Sequence, residues 1–111
     1  MAMKLNRDAM LRILSNEFPY FRQRDGMVRL ALYGSFATDT ARPGSDVDLL
    51  VELSRPMGLE FVALADYLES RLGREVDLAT FPALARSLRN PRRSHIARRI
   101  EESLTDVLPA S

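Results

Sequence analysis

Two aspartates one residue apart, Asp46 and Asp48, stand at the head of the apolar run Leu49-Leu50-Val51. Ten residues separate them from Gly34-Ser35, a pair that ends an earlier apolar run, Val28 to Tyr33. In a strand, alternate side chains share a face, so both carboxylates point to one side a few ångströms apart. Like charges that close drive one group to take up a proton, or weaken the fold, unless a cation stands between them. Oxygen-only ligands suit magnesium or manganese, which bind through one or two protein carboxylates together with substrate phosphates. An Asp-rich turn capping a strand would account for the aspartates alone. It leaves the Gly-Ser turn and the two flanking apolar runs unexplained.

Alternating helices and strands must position these groups. Leu5, Ala9, Leu11, Ile13, Leu14 and Phe18 recur at helical intervals behind Asn6, a suitable N-cap, which predicts a first helix ending near Pro19. Asp25-Gly26 reads as a turn and residues 28–33 as a short, half-buried strand. A short helix is expected over residues 35–41, ended by Pro43-Gly44, then a second strand over 46–53 and a loop over 54–58. Leu59 to Leu72 reads as an amphipathic helix stopped by Gly73. A third strand covers 76–79, and Pro82 suits the first turn of a helix that runs from Thr80 to about Leu88. After Asn90-Pro91 a last helix is predicted from about Arg92 to Leu108, with Ile96, Ile100, Leu104 and Leu108 as core contacts. The pattern is α/β or α+β.

At 111 residues the expectation is one small domain over 1–111, with no room for a second substrate-binding lobe. No cysteine is present, which excludes disulfides and thiolate metal sites. The apolar runs fall far short of the ~20 residues that span a bilayer, so no membrane role is expected and cytoplasmic residence is the default. A formal charge of +1 argues against a dedicated nucleic-acid binder. Seven basic residues cluster within 86–99 (Arg86, Arg89, Arg92, Arg93, His95, Arg98 and Arg99). With no aromatics interleaved for base stacking, a solvated helix face is preferred over an RNA or acidic-partner surface. His95 reads as a surface residue, because no zinc-type spacing accompanies it. Tyr20, Phe21, Met27 and Met57 would form either a partner patch or core.

Gly34-Ser35-Phe36-Ala37, then Thr40 to Glu52 with its Asp46-Val47-Asp48, then Glu75-Val76-Asp77-Leu78, resembles the minimal nucleotidyltransferase (MNT) branch of the nucleotidyltransferase superfamily. The resemblance spans roughly residues 25–105. It implies a nucleotidyltransferase fold, a small mixed β-sheet flanked by helices. It also implies a hydroxyl attacking the α-phosphorus of ATP or another nucleoside triphosphate, assisted by two Mg2+ ions (Mn2+ in their place) roughly 4 Å apart. Asp46 and Asp48 would be the bridging ligands, and Asp77 the third ligand and general base, with Glu75 competing for that place. Gly34 would admit the triphosphate to the backbone, and Ser35 would offer its hydroxyl and N–H from the start of the following helix. Arg42 would steady phosphate, and Ser45 would orient the Asp46 loop.

Family members of this kind are typically encoded beside a helical HEPN-domain toxin, on whose tyrosine the MNT antitoxin can place AMP in a type VII-like toxin–antitoxin pair. Three readings follow: adenylyltransferase toward such a partner, a binding module that neutralises the partner by occlusion, and nucleotidyl transfer to a small molecule. Whether the chain pairs with copies of itself or only with a partner is left open. One departure bears on activity. Thr38-Asp39 stands where relatives carry Arg-Gly, which removes a positive charge from beside the triphosphate and adds a negative one. Arg42 or a partner's basic residue would have to compensate.

Overall fold

A computed structural model describes residues 5–55 and 58–110. Met57 and part of the predicted 54–58 loop lie outside that range. Helix α1 (Arg7–Asp25) begins where the Asn6 side chain accepts a hydrogen bond from the Ala9 N–H (2.8 Å) and ends at Gly26 in the left-handed conformation. It does not stop near Pro19. Proline lacks the N–H that would bond the carbonyl of Ser15. Here the Ala110 N–H takes that carbonyl instead (3.0 Å), while the Ser15 hydroxyl donates to the Leu108 carbonyl. The C-terminal tail thus repairs the gap, and the helix continues for six residues beyond Pro19.

Strand β1 (Met27–Tyr33) pairs antiparallel with β2 (Val47–Leu53), with a bulge at Val28 that leaves this side chain exposed. Helix α2 (Leu59–Leu72) follows, ending at Gly73 as predicted, and leads to β3 (Val76–Thr80), which lies parallel to β2. Helix α3 (Phe81–Leu88) is capped by the Thr80 hydroxyl, which accepts from the Ala83 N–H. Helix α4 (Ser94–Ser103) is shorter than predicted, because the chain turns extended at Leu104. Thr105–Asp106 then adds β4 to the free edge of β1, giving the order β3-β2-β1-β4. Arg29 holds the new strand through two bonds to the Asp106 carboxylate (2.8 and 3.2 Å) while stacking on the Phe81 ring.

The mixed sheet carries helices on both faces. Leu30, Leu32, Leu49 and Val51 pack with Met10, Leu14, Phe18 and Phe21 of α1 and with Leu64 and Leu68 of α2. Burying each such side chain contributes about 2 kcal/mol. A smaller cluster (Tyr33, Leu50, Leu84 and Ala97) joins the other face to α3 and α4. Of the four residues expected to anchor the last helix, Ile96 and Leu108 are instead exposed, and Leu104 lies past the helix end. Phe21 and Met27 belong to the core, while Tyr20 stays half exposed against Tyr67. No helix among the described residues is long and apolar enough to cross a membrane.

Candidate active site

Register places the candidate residues side by side. Tyr33 on β1 pairs with Asp48 on β2, and Asp48 pairs with Asp77 on β3, so one row of side chains crosses three strands. Tyr33 belongs to the cluster under α3 and α4, which puts the row on that face. Gly34 is required at the end of β1 for two separate reasons. Its φ of +74° lies in the left-handed region, and a Cβ there would run into Oδ2 of Asp48.

Asp46 falls just outside the strand and is exposed, because β2 begins at Val47 rather than at residue 46. The loop before it is a tight turn. The Arg42 N–H donates to the Ser45 hydroxyl (2.8 Å), the Ser45 N–H donates to the Arg42 carbonyl, and Gly44 takes a φ of +88°. Arg74 reaches across to the Ser45 carbonyl from the segment between α2 and β3 (3.3 Å). Ser45 therefore shapes the loop, as expected, while Arg42 is exposed and lines no part of the cleft described below.

The segment after Gly34 is not the predicted helix. It makes one turn, with the Thr38 N–H donating to the Gly34 carbonyl and the Thr40 N–H to that of Ser35. Asp39 then turns left-handed (φ +62°), which halts helical propagation. This is the position where relatives are expected to carry glycine, the residue that adopts such a φ without strain. The Asp39 carboxylate accepts the Arg7 N–H at the start of α1 (3.2 Å), so its charge is directed to a helix N-terminus. Ser35 accordingly sits in an isolated turn and not at a helix start. Above it opens a cleft of about 430 Å3, lined by Gly34, Ser35, Thr38 and Thr40 and, from α4, by Arg99 and Ser103. The Gly34 N–H donates to the Ser103 hydroxyl (3.1 Å).

Electrostatics single out Asp48. Burial, followed by the nearby charges of Asp77 and Asp46, pushes its carboxyl up to about 6. Tyr33 is pushed up to about 12 by burial and by the same Asp77 and Asp48. Asp77 and Asp46 thus both bear on Asp48. Glu75 instead borders a groove on the Asp46 side. Among the described residues, however, no three acidic, histidine or cysteine side chains stand close enough together to hold a metal ion as they are. The donor set still fits a hard divalent cation, which is bound by carboxylate oxygens and would offset the repulsion that burdens Asp48. Tyr33, Arg99 and Ser103 were not picked out as site residues from sequence. Tyr33 directly precedes the Gly-Ser pair and could have been noticed there. Nothing local to Arg99 or Ser103 shows that α4 crosses the turn.

A mixed sheet with a Gly-Ser turn against paired aspartates defines a nucleotidyltransferase domain. Residues 14–106 match the family model described as "Nucleotidyltransferase domain", and the chain belongs to that family. Members of this family generally use a divalent metal. The chain is 39% identical over 67 residues to the protein adenylyltransferase MntA of Thermococcus cleftensis, covering 60% of this chain and 68% of the relative. It is 33% identical over 96 residues to MJ0128 of Methanocaldococcus jannaschii, a candidate protein adenylyltransferase, covering 86% and 91%. Among solved structures, a candidate minimal nucleotidyltransferase superposes with a TM-score of 0.67 at 27% identity, covering 94% of this chain and 98% of the other. A toxin–antitoxin structure with AMP-PNP shares the fold, with a TM-score of 0.61 at 19% identity over 96% of this chain and 76% of the other.

Proposed function

We propose that this chain, as a single minimal domain over residues 1–111, is a cytoplasmic, Mg2+-dependent protein adenylyltransferase. It transfers AMP from ATP to a tyrosine hydroxyl of a partner HEPN-domain toxin, and so acts as the antitoxin of the pair. The observation that carries this reading is the register row in which Asp48 lies between Asp77 and the Gly34 turn. The protein adenylyltransferase relatives and the toxin–antitoxin fold neighbour with AMP-PNP support it.

Asp46, Asp48 and Asp77 would hold Mg2+, or Mn2+ in its place, after side-chain rotation draws their carboxylates together. When bound, the metal supplies charge stabilisation at the attacking and leaving oxygens of an in-line displacement. The chain's own groups do the rest. Gly34 admits the triphosphate close to the backbone, and Ser35 offers its hydroxyl. Asp77, the exposed end of the row, accepts the tyrosine proton as the new O–P bond forms and the bond to pyrophosphate breaks. In this reading the partner presents the hydroxyl at the cleft above Gly34-Ser35.

Incubation with labelled ATP, Mg2+ and a partner HEPN-domain protein should label that protein on tyrosine. Label transfer that survives Asp46→Asn combined with Asp48→Asn would overturn the mechanism. A second reading, neutralisation by occlusion, is favoured by the loss of the family's Arg-Gly at Thr38-Asp39. It predicts that Asp48→Ala still protects cells although no label is transferred.

A further inference from the structure

We infer that Arg99, not Arg42, supplies the cation that binds the terminal phosphates of the nucleotide. This deepens the nucleotidyl-transfer reading and rests on it. The turn after β1 carries no basic side chain, because Thr38 stands where an arginine is expected. Arg42 is exposed in its own tight turn and is absent from the lining of the cleft above Gly34-Ser35. Among the described residues, Arg99 is the one basic residue that does line it.

Its placement follows from the helix. Arg99 and Ser103 are four residues apart in α4, hence one above the other on the same face, about 5–6 Å between Cβ atoms. Ser103 is fixed on the turn by its bond from the Gly34 N–H. Arg99 is therefore held one helical turn from Gly34, near Thr38 and Thr40. The reacting phosphorus belongs beside Asp48, which touches Gly34, so the phosphates farther along the cleft fall to Arg99. The guanidinium is free for this work: among the described residues Arg99 forms no ion pair, whereas Arg7, Arg24, Arg29 and Arg71 each do. A planar donor fork suits a bidentate contact to phosphate oxygens.

The test is direct binding of ATP and AMP, each with Mg2+, to wild-type protein and to the variants Arg99→Gln, Arg99→Lys, Arg42→Gln and Arg98→Gln. Arg98 is on the same helix and off the cleft. Arg99→Gln should weaken ATP binding by about tenfold or more, the scale of a lost charge-assisted bond, and change AMP binding by less than about twofold. Arg99→Lys should recover part of the ATP affinity, and Arg98→Gln should match wild type. Thermal unfolding of Arg99→Gln should match wild type, since the side chain is exposed; if it does not, the selective loss of ATP over AMP still decides, because misfolding would weaken both alike. Unchanged ATP binding in Arg99→Gln, equal losses for ATP and AMP, or a loss confined to Arg42→Gln overturns the assignment while leaving nucleotidyl transfer intact. Wild-type protein that binds no ATP overturns both.

Discussion

Asp48→Asn should make the metal-free protein more stable at neutral pH. The folded-state carboxyl titrates at about 6 against 3.8 for a free aspartate. Between those values the folded chain keeps a proton that the unfolded chain has released, so stability falls as pH rises through the window and then levels off. Taken at 1.36 kcal/mol per pH unit, the displacement corresponds to a penalty of about 3 kcal/mol above pH 6. The side chain is only partly buried, and solvent screening reduces this to about 1 kcal/mol. Asparagine keeps the shape and removes the charge. Thermal melts in EDTA should therefore place the variant about 4 °C above wild type at pH 7.5 and level with it at pH 4. Millimolar Mg2+ should then raise the wild-type midpoint and leave the variant unmoved, because ligand that binds only the folded state stabilises it. A variant equal to or below wild type at pH 7.5 in EDTA would refute the claim that Asp48 is held against burial and the charges of Asp77 and Asp46.

Gly34→Ala should cost about 1–3 kcal/mol in a denaturant titration and abolish AMP transfer, since the new methyl meets the Asp48 carboxylate at a left-handed φ; wild-type activity in this variant would mean that the turn tolerates a Cβ. Arg24→Ala should lower stability by about 1–3 kcal/mol, because it leaves the buried Asp25 carboxylate without its guanidinium partner (2.9 Å). A midpoint within experimental error of wild type would show that water replaces Arg24. Asp39→Gly should be nearly neutral: relief of the strained φ, about 1 kcal/mol, offsets the lost bond to the Arg7 N–H. A large loss of helix by circular dichroism would contradict this balance. The same variant should bind ATP within about twofold of wild type, since the carboxylate it removes is already engaged at α1.

Local pattern carried the reading wherever the deciding interaction is local. Helix α2 starts and stops at the predicted residues because its apolar spacing and Gly73 both lie within the segment. Asp48 and the Gly34 turn were legible for a similar reason, since strand alternation and a glycine requirement are properties of a few neighbouring residues, whereas Asp46, expected on the same strand face, falls outside β2. Misreadings came where a distant segment decides. Pro19 reads as a helix end until Ala110, ninety-one residues on, bonds the carbonyl it orphans. Residues 104–108 continue the helical spacing of α4, yet the open edge of β1 and the guanidinium that Arg29 offers to the Asp106 carboxylate draw Thr105–Asp106 into the sheet. The turn after Gly34 does not become the expected helix, because Asp39 takes a left-handed φ while its carboxylate accepts the distant Arg7 N–H.

The two faces of the sheet divide the work between stability and chemistry. Under α1 and α2 the strands β1 and β2 present Leu30, Leu32, Leu49 and Val51, and this larger cluster holds their register. Under α3 and α4 the apolar cluster is small; Tyr33 belongs to it, and the rest of its row (Asp48, Asp77) is charged and partly open. That row would slip to the wrong face if β2 moved by one residue, so the large core sets the position of the aspartates from the opposite face of the sheet. It follows that cavity-forming changes such as Leu32→Ala or Leu49→Ala should lower stability by about 2–5 kcal/mol. Well below the melting temperature they should leave ATP affinity intact. The opposite profile, stability gained and activity lost, should be confined to the charged row.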